Sequence, residues 1–486
     1  KGLILNFDYS NRIDNTGRTL RLNPFEYLKG NKLTPTVEGL NRLTEYRWKD
    51  KYNALNAFAT YNISLDNKHN FKLLAGFNQE YFDRDRVEVT ADDLLLADLS
   101  NLALATTMNN ISGSAMNWAV QGYFGRLNYD YANKYLLEMN ARYDGSSRFP
   151  KDSRWGFFPS VSLGWQVDRE DFWTNIKPYV SFFKLRSSYG KLGNQTVDVN
   201  TFTELMNVAR STDWLNQGNP LIVAQMPLPL PSVVTWETTR SLNFGADIGF
   251  LNNKLFVNLD VFRKNVEGMY LPGEPLPAVF GAGEPKENYA GLRNEGFELN
   301  VSYQNSFEVW GSPLRFRASA NVSNFKGIIT KYNNPNGLLS SYYEGQQLGE
   351  IWGYRVDGQF QSDQEALAYQ NTFTNPATSL ARVYGDIFNV VQNSEWNYLR
   401  GGDVKYLDLN GDGKIDNGDN TLDNHGDLER IGNASPRFPF GVNINTSWKS
   451  FDFSIALSGV ARQDWYPTGE LYWGTYQRPY LSFLRK

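Results

Sequence analysis

The sequence predicts an all-β fold: a transmembrane antiparallel β-barrel of the large class, incomplete in this chain, with long extracellular loops. Two observations predict it. Stretches of about ten or more residues carry an apolar side chain at every second position, and the links between them alternate between tight turns and long polar loops. A third is permissive: no run nears the roughly 18 apolar residues of a membrane helix. The low mean hydropathy of −0.50 does not argue against a membrane, because a barrel strand shows lipid only alternate residues.

The elements follow in order. The chain opens on Lys1, Gly2 and Leu3 in what reads as a strand, without a signal peptide. From Ala54 to Asp66, Leu55, Ala57, Ala59, Tyr61, Ile63 and Leu65 alternate with Asn56, Thr60, Asn62 and Ser64; only Phe58 breaks the polar row. Side chains on a strand point to opposite faces with period two, so one set can face lipid and the other a wet interior. Asp66 to His69 reads as a tight turn, Val87 to Trp118 as a long loop and Ala132 to Lys134 as a second tight turn. Connections follow at Gly145 to Asp152, Asp168 to Lys177 and, at length, Gln195 to Val233. The next strand sets Leu242, Phe244, Ala246 and Ile248 against Asn243, Gly245, Asp247 and Gly249, ahead of a tight Leu251 to Lys254. A loop from Leu271 to Tyr289 and a shorter link from Ser306 to Pro313 precede Leu314, Phe316, Ala318, Ala320 and Val322, which alternate with Arg315, Arg317, Ser319, Asn321 and Ser323. A long excursion from Gly327 to Pro436 then leads to a tight Trp448 to Ser450.

Keeping the tight links on one side and the long ones on the other is what a barrel does, with short periplasmic turns and long outer loops. A β-sandwich has no reason to do so, and no fixed repeat suggests a solenoid. About thirteen strands are visible, an odd number where single-chain bacterial barrels close with an even one. The chain also ends at Lys486 within a loop, so residues 1–486 read as a partial barrel lacking an N-terminal plug and the final strands. The complete barrel would be of the class of about 22 strands, wide enough to need a plug.

Composition agrees. Aromatics make up 15% of the 486 residues, which suits girdles at two lipid interfaces. With no cysteine and only His69 and His425, disulfides, thiolate metal sites and multi-histidine centres are excluded. A net charge of −4 without any Lys/Arg run argues against nucleic acid. No nucleophile elbow, P-loop or HExxH pattern is present; Arg142, Asp144 and Arg148 read as structural networks rather than catalytic groups, and the acids Asp168, Glu170 and Asp171 fall in an expected periplasmic turn, where a substrate-processing site makes little sense.

One motif carries metal chemistry. From Asp408 to Asp419 the sequence DLNGDGKIDNGD places oxygen ligands on Asp408, Asn410, Asp412 and Asp416, a backbone carbonyl at Lys414 and a carboxylate at Asp419. Gly413 stands at the sharp turn and Ile415 supplies an apolar anchor. The hard oxygen set favours a structural Ca²⁺. Asp at the twelfth position resembles the dockerin variant of the loop, with an expected affinity on the order of 10⁻⁴ M. The alternative is an Asx-rich turn without metal. Candidate ligand- or lid-contacting residues are the loop aromatics Trp214, Tyr342, Tyr343, Trp396, Tyr398, Trp465, Tyr466, Trp473 and Tyr476, since planar rings stack on sugars and also anchor protein interfaces.

Several stretches together resemble the SusC-like family of TonB-dependent outer-membrane transporters: ARYDGSSRFPKDSRWGFFPSVSLGWQVDREDFW from Ala141, LRSSYGKLGNQ from Leu185, WETTRSLNFGADIGFLNNKLFVNLDVFRKNVEGMY from Trp236, NEGFELNVSY from Asn294, IWGYRVDGQFQ from Ile351 and GNASPRFPFGVNINTSWKSFDFSIALSGVARQD from Gly432. The resemblance implies a plugged barrel of about 22 strands energised by TonB. It also implies an extracellular SusD-like lipoprotein lid, a cargo of oligosaccharide or peptide, and no enzymatic activity. A siderophore or cobalamin receptor, a passive porin and an adhesin are the alternatives.

Overall fold

Strands form where the alternation predicts them, and some also form within expected loops. The computed structural model describes residues 2–27, 36–96, 99–199, 201–204, 206, 208–216, 219–224, 227, 229–231, 234–273, 276–281, 283–370 and 399–465. In chain order the first strands are β1 (Gly2–Leu22), β2 (Phe25–Tyr27), β3 (Thr36–Glu38), β4 (Arg42–Leu65), β5 (His69–Leu94), β6 (Ala105–Tyr131) and β7 (Tyr135–Ser146). Next come β8 (Trp155–Gln166), β9 (Val180–Asn194), β10 (Val208–Asn216), β11 (Asn219–Ala224), β12 (Glu237–Phe250), β13 (Leu255–Pro272), β14 (Lys286–Val309) and β15 (Ser312–Lys331). The last are β16 (Glu350–Tyr354), β17 (Val356–Gln359), α1 (Asp363–Gln370), β18 (Val404–Tyr406), β19 (Leu428–Asn433), β20 (Arg437–Trp448) and β21 (Phe451–Arg462). Two compact units are present: residues 1–164, 189–239 and 275–288, and residues 165–188, 240–274 and 289–486.

In the first unit β1, β4, β5, β6 and β7 are antiparallel neighbours in that order. Register turns the alternation of each strand into rows that cross all five. Phe7, Ala57, Phe77, Tyr123 and Tyr143 lie side by side, and the adjoining row is Asp8, Asn56, Asn78, Gly122 and Asp144. One row is apolar and largely exposed, as a lipid-facing wall requires; the other is polar and belongs to the wet face. Phe58, the residue that breaks the polar row, pairs with Gly76, which pairs in turn with Phe124. A Cβ at position 76 would fall 2.6 Å from the Phe58 Cβ and 2.5 Å from the Phe124 ring. The two rings therefore cover backbone that a glycine leaves bare.

Arg142 extends the same row, its guanidinium 5.3 Å from the Phe124 ring and bonded to both Asp144 oxygens (2.8 and 3.0 Å) and to Asn78 Oδ1 (3.1 Å). Arg148 donates to the Val197 carbonyl at 2.6 Å. Both arginines are thus committed to the scaffold.

The second unit repeats the rule. Val301, Ala320, Val442 and Leu457 form an apolar row across β14, β15, β20 and β21, beside a polar row of Asn300, Asn321, Gly441 and Ser458. Arg315 and Arg317 fall on the polar rows, opposite Ser306 and Gln304 on one side and Ser447 and Asn445 on the other.

The tight turns use left-handed backbone, whose twist suits a hairpin. Asp66 and Asn67 (φ 50° and 53°), Ala132 and Asn133 (50° and 54°) and Trp310 and Gly311 (48° and 70°) are such pairs. The link expected over Ser306 to Pro313 therefore shrinks to two residues, because the ladder continues to Val309↔Ser312. A larger difference concerns the loop expected from Val87 to Trp118. β5 and β6 instead stay paired as far as Leu94↔Ala105, well past the 9–11 residues that cross a bilayer. A ladder outside lipid needs no apolar alternation. Here the neighbouring β4 steadies it through ion pairs between Arg84 and Asp50 (2.5 Å) and between Arg42 and Asp92 (2.7 Å).

Candidate functional site

The long excursion after β15 builds its own platform. Residues 345–348 first run back along the end of β15, with Gly345 N–H donating to the Ile329 carbonyl (2.8 Å), Ile329 N–H to Gln346 (2.9 Å) and Leu348 N–H to Gly327 (2.8 Å). Two short antiparallel strand pairs follow, β16 with β19 and, between them in sequence, β17 with β18. α1 is started by its sequence: Ser362 Oγ accepts the Glu365 amide (3.1 Å), while the Glu365 carboxylate accepts the Gln361 amide (2.8 Å), a variant of the capping box. Phe360, Ala366, Leu399 and Ile415 close into a buried cluster, so the apolar anchor of the DLNGDGKID loop is fastened to α1.

That loop has the turn its motif predicts. Asp408 Oδ1 accepts the Gly411 amide (2.6 Å) and Oδ2 the Gly413 amide (2.9 Å); Asn410 Oδ1 accepts Asp412 N–H, Asp412 Oδ1 accepts Lys414 N–H and Asp416 Oδ1 accepts Gly418 N–H, each at 2.9 Å. Gly411 and Gly413 stand at φ 75° and 79°, a conformation that L side chains resist. Among the described residues no group of three or more acidic or histidine side chains converges as a ligand set.

The Asp419 carboxylate accepts from the Asn424 side chain at 2.7 Å. A residue outside the motif reaches into the loop in its stead. Asp427 is 0% exposed, and its carboxylate accepts amides from Leu409 (2.6 Å), Asn410 (3.4 Å) and Asp416 (2.9 Å). Its own N–H donates to the Asp416 carbonyl at 2.8 Å. Burial, then the charge of Asp408, push the Asp427 carboxyl above its ordinary value despite those amides. The same acids act on Tyr369, whose phenol donates to the Tyr406 carbonyl and is pushed up to about 12 by burial and by the charges of Asp408, Asp357 and Asp427. Asp408 and Asp427 thus place acidic groups on the Tyr369 side of this loop, where Lys405 pairs with Asp357 at 3.2 Å.

The aromatic candidates divide. Tyr342 is 52% exposed, its ring edge-on to Tyr332 at 5.5 Å, and Trp465 is 74% exposed. Tyr343 is corrected: at 3% exposed it donates to Glu350 Oε2 (2.6 Å), so its ring supports the platform and offers no face to a ligand. Trp214 lies within β10 rather than in a loop. Trp396, Tyr398, Tyr466, Trp473 and Tyr476 lie outside the described residues.

Apolar rows against polar rows, with one set of links tight and the other elaborated, define an outer-membrane β-barrel wall. Comparison with known proteins gives its family. The family model described as TonB dependent receptor-like, beta-barrel matches residues 1–483, and the chain belongs to that family. It is 27% identical over 422 residues to the TonB-dependent receptor P39 of Formosa agariphila, covering 82% of this chain and 38% of that protein. It is 26% identical over 426 residues to the TonB-dependent receptor SusC of Bacteroides thetaiotaomicron, covering 85% and 38%. The chain thus spans well under half the length of these curated relatives. Among solved structures, that of the RagAB peptide transporter shares the fold with a TM-score of 0.70 at 18% identity, over 94% of this chain and 45% of that one.

Proposed function

We propose that this chain is the barrel part of an active importer that carries nutrient oligosaccharides or peptides across the outer membrane. The observation that supports it best is the family match over residues 1–483, to which the relatives named SusC and RagAB add a direction. On this reading the long-loop end faces outward and meets a SusD-like lipoprotein lid. TonB acts through a plug outside these residues, and the barrel itself catalyses no reaction. Tyr342 and Trp465, the exposed members of the candidate set among the described residues, are the candidates for contact with ligand or lid.

Ca²⁺ is the cation proposed for the loop, held by Asp408, Asn410, Asp412, the Lys414 carbonyl and Asp416, with Asp427 rather than Asp419 as the closing carboxylate. The ion would neutralise the acids gathered there and order the platform.

The test is uptake of labelled oligosaccharides and peptides by cells carrying or lacking the intact protein, with and without an uncoupler. Uptake that needs both the protein and the proton-motive force is expected. Uptake indifferent to the uncoupler would replace the importer by a porin, and iron-chelate uptake alone would replace it by a siderophore receptor. For calcium, Asp408→Ala with Asp412→Ala should remove bound metal and expose the platform to protease; unchanged metal content and resistance would sink the assignment.

A further inference from the structure

The β15–β20 ladder ends at Val322↔Phe440, although β15 runs on to Lys331 and β20 begins at Arg437. The strands part there, and a recess of about 390 Å³ opens between them and the β19 segment. Its walls carry Lys326, Arg430, Arg437 and Arg462. Glu350 is the one carboxylate lining it, and that group is already engaged, accepting from Tyr343 Oη (2.6 Å) and the Gln347 amide (3.0 Å) and lying 3.5 Å from Arg430. Outside the recess, Asp464 reaches Arg462 at 3.6 Å while accepting the Asn433 amide at 2.7 Å. Lys326 stands opposite Glu295 across the β14–β15 ladder, but that carboxylate is held by Arg263 at 3.2 Å and lies 3.7 Å from Arg293, and neither Lys326 nor Arg437 forms an ion pair among the described residues. Arg186, by contrast, is paired closely with both Asp247 and Asp260 at 2.9 Å.

Register sharpens the point. Arg437 and Arg462 are direct cross-strand partners at the end of the β20–β21 ladder. Like charges placed opposite each other destabilise a sheet. The Arg437 guanidinium lies 5.8 Å from the Phe438 ring, which offers only a weak cation–π contact. With Glu350, Asp464 and Glu295 all set against the four cations, the recess still keeps an excess of positive charge, and the oxyanion of a ligand would remove the repulsion while using guanidinium donors in their preferred geometry.

We infer that this recess is an oxyanion site that holds a carboxylate, sulfate or phosphate group borne by the imported ligand. The site stands on geometry alone; its assignment to cargo rests on the import reading. It narrows that reading to cargo with an acidic substituent.

The experiment is hydrogen exchange on the full-length protein in detergent, at an ionic strength fixed with chloride, with sulfate added as the probe. Amides at the Arg437 and Arg462 ends of β20 and β21 should gain about fivefold protection as sulfate binds the folded state. In Arg437→Gln the same amides should be better protected than in the parent without sulfate, because the like-charge pair is gone, and sulfate should add nothing. Arg462→Gln approaches the same pair from the other strand, should Arg437→Gln fail to assemble. An equal sulfate effect in parent and variant would reduce it to general salt exclusion and overturn the site, as would no effect in the parent. An oligogalacturonate should compete with sulfate where a neutral malto-oligosaccharide does not. Sulfate binding without that competition would overturn the assignment to cargo and leave the oxyanion site standing, whatever the uncoupler experiment shows.

Discussion

The strand walls and the platform beyond β15 obey different rules. In the walls a residue's environment follows from its parity: Ala320 sits in an apolar row with Val301 and Val442, while its neighbour Asn321 sits in a polar row with Asn300 and Gly441. In the platform an environment follows from a particular partner. Ile415 is buried because α1 meets it, and Asp427 because three amides point at it. A periodic wall asks mainly for the right polarity, with exceptions such as Gly76 beneath the Phe58 and Phe124 rings; the platform depends on single side chains. Lipid imposes the first rule on every strand alike, whereas the second has no external solvent to enforce it.

The sharpest way to break this comparison is to violate parity. Ala320→Arg puts a charge on the lipid row and should cost about 2–4 kcal/mol if it lies at mid-membrane, whereas Ser319→Arg, one residue away on the polar face, should cost about 1 kcal/mol or less. Heat-modifiable migration of the intact protein on gels would read the difference. Equal costs would mean that the apolar row does not face lipid.

Asp427→Ala comes next. It strands the amides of Leu409, Asn410 and Asp416 without their acceptor and should destabilise the platform by about 2–3 kcal/mol, given that each buried group left unsatisfied costs roughly 1–3 kcal/mol before relaxation. Asp419→Ala should cost less than about 0.5 kcal/mol, since the hydrogen bond its carboxylate accepts is from an exposed Asn424 side chain. Limited proteolysis of residues 399–430 would rank the two, and the reverse ranking would restore Asp419 as the closing residue.

This contrast also shows what was legible in advance. The walls were readable because period two survives any partner, and the loop turn was readable because its ligands and glycines sit at fixed spacings. Asp427 was not, because residues 417–426 separate it from Asp416 and break the spacing that the motif defines. Tyr343 was misread as a ligand-contacting aromatic for a related reason: adjacent Tyr342 and Tyr343 look alike in sequence, and only the position of Glu350 decides which one is buried. The extended β5–β6 hairpin was missed because a backbone ladder in water needs no apolar signal. Lys326, Arg430, Arg437 and Arg462 come from three separated segments, and no pattern within any one of them marks the recess.

A smaller effect should come from Ile415→Val. Removing one methylene from a fully buried site costs about 0.5–1.5 kcal/mol, so α1 and the loop should loosen together. Matched losses of hydrogen-exchange protection in residues 363–370 and 408–416 would show that the platform is one cooperative unit. Loss confined to the loop would separate it from the helix.

The pH response is the subtlest distinction, and its sign is fixed by Asp427. Its folded-state pKa is raised above the ordinary 3.8, so the protonated form is the one that the fold favours. The stability this contributes is complete below 3.8 and is lost as pH rises through the folded value. Without divalent cations, protection of residues 408–427 should therefore fall as pH rises above 3.8 and through the raised folded-state value, by less than the loss caused by Asp427→Ala. Calcium should restore it at neutral pH, because a bound cation stabilises the ionised carboxylate that burial penalises. The walls should show no such calcium-reversible step. If protection instead rose with pH in a cation-free buffer, the three amides would outweigh burial and the Asp408 charge, and the case for a cation drawn to this loop would lose its electrostatic support.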